Sequence, residues 1–186
     1  MATNTVYVIT GGNRGIGLGL VKSLLARPST TVIASVRNRE AAASLEAEDV
    51  SLGAGSQLHV AILDFSLAMP PAEMLEAIEA ATAVDHIDVL INNAGSCPPM
   101  SIATQTSAED MRAAFKTNTI APLMVFQALW PLLQRAKTGA SKVIMVTSTV
   151  GGIGYQEPLP GGAYGPSKAA LKGGNSYQFS CVPDLD

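Results

Sequence analysis

The chain has 186 residues, 47% of them hydrophobic and 15% charged, and carries a net charge of −3. That balance suits one domain of ordinary size with a buried core and excludes a disordered chain. Lys and Arg form no block, so nucleic acid is not an expected partner. No apolar run approaches the ~18 residues of a membrane span, so no membrane partner is expected. The start leads straight into strand-like residues without a charged leader, so no signal peptide is expected. Cys97 and Cys181 lie far apart in sequence, which suggests neither a disulfide framework nor a zinc site. The expectation is a cytoplasmic protein with no metal.

Strand-like and helix-like stretches alternate, the pattern of a parallel sheet covered by helices. Thr5 to Thr10 is a short β-branched run that ends in glycines. Gly15 to Ala26 then reads as a helix, with Ile16, Leu20, Leu24 and Leu25 at helical spacing and Pro28 ending it. Strands are expected at Thr31 to Val36, Leu58 to Leu63, Val89 to Ile91 and Lys142 to Thr147, with helices between them at Glu40 to Glu48 and Ala72 to Ala83. Ser107, with Asp110 three residues on, opens a long helix. Phe115, Thr119, Phe126, Leu129 and Leu133 fall roughly on one side of it, and Pro122 should kink or divide it. A Gly- and Pro-rich loop from Gly151 to Gly162 precedes a last helix that starts at Tyr164. His59 and His86 show no partner pattern and read as structural. Met69, Met74, Met100, Met111, Met124 and Met145 read as core or pocket filler.

The first chemical signal is the turn Thr10-Gly-Gly-Asn-Arg-Gly-Ile-Gly17, which follows a strand and enters a helix. Gly11, Gly15 and Gly17 permit positive φ and close approach of backbone to a pyrophosphate, with Asn13, Arg14 and Ile16 between them. A tight strand-to-helix turn with no ligand gives the same pattern. An NAD-selective fold places an acid about 20 residues beyond this turn. Here that place reads Ser35-Val-Arg-Asn-Arg39, so Arg14 and Arg37 are positioned to clamp a 2′-phosphate, or else are merely solvated. NADP(H) is the cofactor this favours. Asp64 and Phe65 close the third strand. Asp64 has the chemistry to accept from an adenine amine or to cap its own loop. Asn92, Asn93, Ala94 and Gly95 end the fourth strand at the same edge, where an Asx-turn is the alternative reading.

The second signal is Tyr164-Gly-Pro-Ser-Lys168. Residues four apart share a helix face, so a hydroxyl and an ammonium meet there, and a nearby cation eases proton transfer from a phenol. Ser148 ends the fifth strand within reach of a carbonyl. Asn118 stands inside a helix despite poor propensity, to expose a carbonyl, to order a water, or to mark a kink.

Together these stretches, with Ser148-Thr-Val-Gly151, resemble the short-chain dehydrogenase/reductase family over residues 5 to about 171. Val32 to Asn38 also looks like fungal ketoreductases of the norsolorinic-acid type and related carbonyl reductases. The resemblance implies a doubly wound, Rossmann-like parallel sheet of order 3-2-1-4-5. It implies NADP(H)-dependent reduction of a carbonyl on a small or polyketide-like molecule, or the reverse oxidation of an alcohol. Tyr164 would be the general acid. Lys168 would assist it and bond the nicotinamide ribose. Ser148 would orient the carbonyl, and Asn118 would hold a water relaying protons to Lys168.

Family members continue past this helix with two more strands, and these are expected to be missing here. Residues 1–172 read as one reductase domain and residues 173–186 as a tail unlike the family. Gly173-Gly174 is expected to break the helix, at about 1 kcal/mol per glycine. A homo-oligomer or pairing with a full-length relative is the expected assembly. The alternative function is a weakly active or inactive NADP(H)-binding relative or isoform.

Overall fold

The computed structural model describes residues 4–154 and 158–178. Five strands form one sheet in the order β3-β2-β1-β4-β5. They are β1 (Thr5–Thr10), β2 (Thr30–Val36), β3 (Gln57–Ile62), β4 (Val89–Asn92) and β5 (Lys142–Met145). The pairings of β1 with β2 and β4, and of β2 with β3, are parallel, with Thr5 beside Thr30, Tyr7 beside Val89 and Thr31 beside Gln57. The first three strands are each followed by a crossover helix: α1 (Gly15–Leu25), α2 (Arg39–Glu46) and α3 (Pro71–Ala81). β2 is buried at every residue, as a central strand covered on both faces must be, and its sequence is accordingly β-branched and apolar. The expected sheet and strand order are the observed ones.

The described residues fall into two compact units. One runs to Ala94 and includes Leu123–Ile144. The other takes in Gly95–Pro122 and the residues from Met145 on. The first unit holds the sheet core. Val8, Ile9, Val32, Ile33 and Leu90 are fully buried within it, as are Val21 and Leu25 of α1, Leu45 of α2 and Ile78 of α3. At the amino end of β4 the carboxylate of Asp88 is buried. It accepts from Val6 N (2.8 Å), Lys137 N (2.8 Å), Thr138 N (3.0 Å) and Thr138 Oγ1 (3.0 Å). Burial pushes this carboxyl up, but those hydrogen bonds outweigh it and hold it below the usual range. His86, beside it, is also buried and is 2.7 Å from Asp85 through Nδ1. The structural reading of His86 therefore comes with carboxylate partners that the sequence pattern did not single out.

In the second unit α4 (Ala108–Phe115) begins at Ser107, whose hydroxyl accepts from Asp110 N at 3.0 Å and donates to Asp110 Oδ2 at 2.7 Å. The long helix is divided as expected, but by a π-helical segment, Lys116–Ile120, before α5 (Ala121–Leu133). Pro122 supplies no N–H to the carbonyl four residues back, so the regular ladder has to adjust there. The inserted residue rotates the apolar face. Ala114, Asn118, Ala121, Val125, Ala128, Leu129, Leu132 and Leu133 are buried, whereas Phe115, Thr119 and Phe126 are only half-buried.

Three further expectations are corrected. Ile16 is 67% exposed, because it lies around the helix from the buried stripe, which is Gly17, Val21, Leu24 and Leu25. Gly173 and Gly174 do not end the last helix, since α6 runs from Tyr164 to Gln178. Glycine weakens a helix by about 1 kcal/mol but keeps its N–H, so the ladder can continue. β5 also ends at Met145, short of Thr147. Cys181 and the residues from 179 on lie outside the described residues.

Candidate functional site

The first group of candidate residues lies at the carboxyl ends of β1 and β4. Gly11 and Gly15 have positive φ (71° and 55°), a conformation that disfavours other residues. A Cβ on Gly17 would lie 2.0 Å from Gly11 O, so α1 can start hard against the turn only with glycine there. The turn is anchored by Gly11 N and Gly12 N, which donate to Ser35 O at 2.9 and 3.0 Å. Asn93 ties it to β4. Its Nδ2 donates to Thr10 O (2.9 Å) and Gly11 O (3.2 Å). The Thr10 hydroxyl accepts from both Asn93 N and Ala94 N at 3.0 Å. Asn93 is thus a cross-strand brace rather than an Asx-turn, and the Thr10 hydroxyl is a partner that sequence reasoning missed. Its signal was its place directly before the glycines.

Helix α1 has Arg14 at its N-cap, no side-chain cap and no acid in its first turn. Its first N–H groups and dipole therefore meet no competing side-chain acceptor, which fits an anion such as pyrophosphate. A Cβ on Gly15 would meet nothing within 4 Å, so the backbone is open to close approach there. Asn13 is half-buried, and Arg14 and Arg37 are exposed. Asn38 caps α2 by accepting from Ala41 N at 2.9 Å, which leaves Arg37 at the strand end beside a fixed helix start. Asp64 Oδ1 accepts from Ser66 N (2.9 Å) and Ser66 Oγ (2.7 Å), the loop-capping arrangement, and Phe65 next to it is buried. Asn92 is 2% exposed, and neither polar atom of its side chain has a hydrogen-bond partner among the described residues.

The second group lies in the other unit. Lys168 is 3% exposed and its ammonium donates to Val146 O at 2.8 Å. The same ammonium lies 5.9 Å from the centroid of the Tyr164 ring, within cation–π range. Burial pushes the Lys168 ammonium below the usual lysine range. Tyr164 itself is half-buried. Ser148 caps a 3₁₀ turn, Thr149–Gly151, accepting from Val150 N at 3.4 Å. A Cβ on Gly151 would sit 2.8 Å from the Lys168 carbonyl carbon, so glycine lets the Ser148 turn lie directly on the helix turn that carries Lys168.

Asn118 is fully buried in the π-helical segment. Its Oδ1 accepts from Ser96 N (2.8 Å), and its Nδ2 donates to Ser96 O (2.8 Å) and Ser167 Oγ (2.9 Å). The side chain is a clamp, and Pro122, four residues on, brings no N–H to the Asn118 carbonyl. Gly95 is exposed beside Ser96. Residues 96–106 and 158–162 meet where Gly162 has a φ of 49° and a Cβ would be 2.7 Å from Pro99 O. They line a cleft of about 480 Å³ with Ile102, Thr106, Pro160 and Pro166 on its walls. Pro166 projects from the side of α6 away from Tyr164 and Lys168, and neither of these lines the cleft. No helix among the described residues is long and apolar enough to cross a membrane.

The family model described as short chain dehydrogenase matches residues 5–175. An uncharacterized oxidoreductase of Schizosaccharomyces pombe is 41% identical over 91% of this chain and 64% of its own length. The norsolorinic acid ketoreductase nor1 of Dothistroma septosporum is 37% identical over 89% of this chain and 63% of its own. Among solved structures, the carbonyl reductase Sniffer of D. melanogaster superposes with a TM-score of 0.80 at 31% identity, covering 98% of this chain and 77% of that one. The NADPH-bound carbonyl reductase from chicken fatty liver gives 0.75 at 27% identity, covering 92% and 68%. The chain spans less than two thirds of the length of the first three curated relatives. A match that runs through the glycine turn, the strand order and the Tyr-Lys helix alike leaves one conclusion: the chain belongs to the short-chain dehydrogenase family.

Proposed function

We propose that this chain is an NADP(H)-dependent ketoreductase acting on a carbonyl of a small, apolar or polyketide-like molecule. The observation that carries this reading is the buried Lys168 ammonium, fixed to Val146 O and 5.9 Å from the Tyr164 ring. A phenol beside a fixed cation is equipped to give a proton to an oxygen that is becoming an alkoxide. The names of the ketoreductase and carbonyl reductase relatives support the same class.

Tyr164 is the general acid and delivers its hydroxyl proton to the carbonyl oxygen. Lys168 favours that release through its charge. While it is protonated, the low local dielectric strengthens its attraction for the forming phenolate. Ser148 orients the carbonyl by hydrogen bonding. Asn118 holds the helix geometry, and its carbonyl suits a water that returns protons toward Lys168.

Gly11, Asn13, Gly15, Ile16 and Gly17 would hold the pyrophosphate, with Arg14 and Arg37 on the 2′-phosphate. Asp64 and Phe65 would border the adenine, and Asn92 to Gly95 the ribose side. The open φ-positive Gly15 and the uncapped α1 N-terminus fit such a dinucleotide. When bound, NADP(H) supplies the hydride. The protein is expected to act in the cytoplasm.

The experiment is NADPH turnover with a panel of quinones and aromatic ketones, with Tyr164→Phe as control. Tyrosine-dependent oxidation of NADPH by at least one ketone is the expected result. NADPH binding with no turnover on any member would reduce the reading to a binding protein.

A further inference from the structure

We infer that Ser167 is a positioning residue for the Tyr164–Lys168 pair, a role that rests on the catalytic reading of those two side chains. Ser167 is fully buried inside α6, an unusual place for a serine, whose hydroxyl competes with the helix ladder. Its hydroxyl is committed in both directions. It accepts from Asn118 Nδ2 at 2.9 Å and donates to Tyr164 O at 2.7 Å. Its own carbonyl accepts from Thr119 Oγ1 at 2.9 Å.

The direction of this chain is forced. The Asn118 amide must point Oδ1 at Ser96 N and Nδ2 at Ser96 O, because the flipped amide would set carbonyl against carbonyl. The second Nδ2 hydrogen is then available only as a donor. Ser167 must accept it, and the single hydroxyl hydrogen goes to the Tyr164 carbonyl. A run of aligned donors in a buried place strengthens each member. The result pins the first turn of α6 to the π-helical segment at both Ser167 groups.

Tyr164, Ser167 and Lys168 stand at i, i+3 and i+4, so the pin lies under the same helix face as the two catalytic side chains. The ammonium of Lys168 is fixed separately, to Val146 O. Ser167 therefore sets the height and rotation of the turn, and Lys168 sets the charge. Without the hydroxyl the buried Asn118 amide keeps an unpaired hydrogen and Tyr164 O loses a donor. The turn then keeps its backbone tie to Thr119 but loses the one to Asn118, so its register is held less tightly, and small displacements at a reacting group are costly.

The test compares Ser167→Ala with Ser167→Thr, which restores a hydroxyl. For Ser167→Ala, kcat with a ketone falls about tenfold to a hundredfold while the NADPH dissociation constant is unchanged. Ser167→Thr recovers most of the loss. Amide hydrogen exchange over residues 164–168 accelerates in the alanine variant relative to the rest of α6. An unchanged kcat, or an equal rise in KM for NADPH, would overturn the proposal. Should Ser167→Ala not fold, Ser167→Cys is measured instead; failure of both to fold assigns the residue to stability and refutes positioning. If the unaltered chain turns over no ketone, the functional reading falls. Exchange at 164–168 still decides whether Ser167 orders this turn.

Discussion

The Lys168 ammonium is held 2.8 Å from the carbonyl oxygen of Val146, at 5.9 Å from the Tyr164 ring centroid. The charge is therefore fixed by backbone, not by an acid. Burial lowers its affinity for the proton in the folded state, so the unfolded chain binds more protons near this group. The stability deficit is full below the folded value. It is relieved as pH rises from that value towards 10.5, the ordinary lysine value. Thermal melts of the chain should show stability rising over that alkaline window until general alkaline unfolding sets in. The rise should be absent in Lys168→Met, which carries no proton to lose.

Tyr164→Phe removes the proposed proton donor and little else. Carbonyl reduction should fall by ~10²–10⁴, the usual worth of a positioned general acid. NADPH binding, followed by fluorescence titration, should be nearly intact. Retention of full turnover would show that the acid is another group.

Arg37→Asp should reverse the proposed preference for NADPH. An arginine–phosphate pair contributes ~1.5–3 kcal/mol, a factor of roughly 10–100 in affinity. NADPH should weaken by about that factor and NADH should tighten, as an acid at this place can accept from the ribose hydroxyl. Equal affinity of the unaltered chain for the two cofactors would contradict this.

Gly17→Ala should damage cofactor binding through the backbone. Its Cβ would meet Gly11 O at 2.0 Å and Asn93 Nδ2 at 2.6 Å, so the brace between β1 and β4 must open. The overpacking should cost about 1–3 kcal/mol in urea unfolding, and NADPH affinity should fall with it.

Asp88→Ala leaves the amides of Val6, Lys137 and Thr138 and the Thr138 hydroxyl without their buried acceptor. A loss of about 3–5 kcal/mol is expected, as for other broken buried charged networks. Chemical denaturation would read it directly, and a loss below about 1 kcal/mol would show that water replaces the carboxylate.

The local code was readable wherever residue type and spacing are themselves the cause. β-branched runs made β1 and β2, glycines with positive φ made the first turn, and Ser107 with Asp110 opened α4. The strand order followed from the family resemblance rather than from periodicity. What the sequence alone did not determine came from contacts between distant residues. Ile16 has helical spacing with Leu20 but lies around the helix from the buried Gly17, Val21, Leu24 and Leu25, so it is exposed. Asn118 is a poor helix residue whose place is set by Ser96 and Ser167, partners on other segments. Neither Ser167 nor Asp88 carries a signal of its own in the sequence. Each acquires its role only when folding removes it from water and leaves specific distant groups to satisfy its hydrogen bonds, a condition that tertiary packing alone creates.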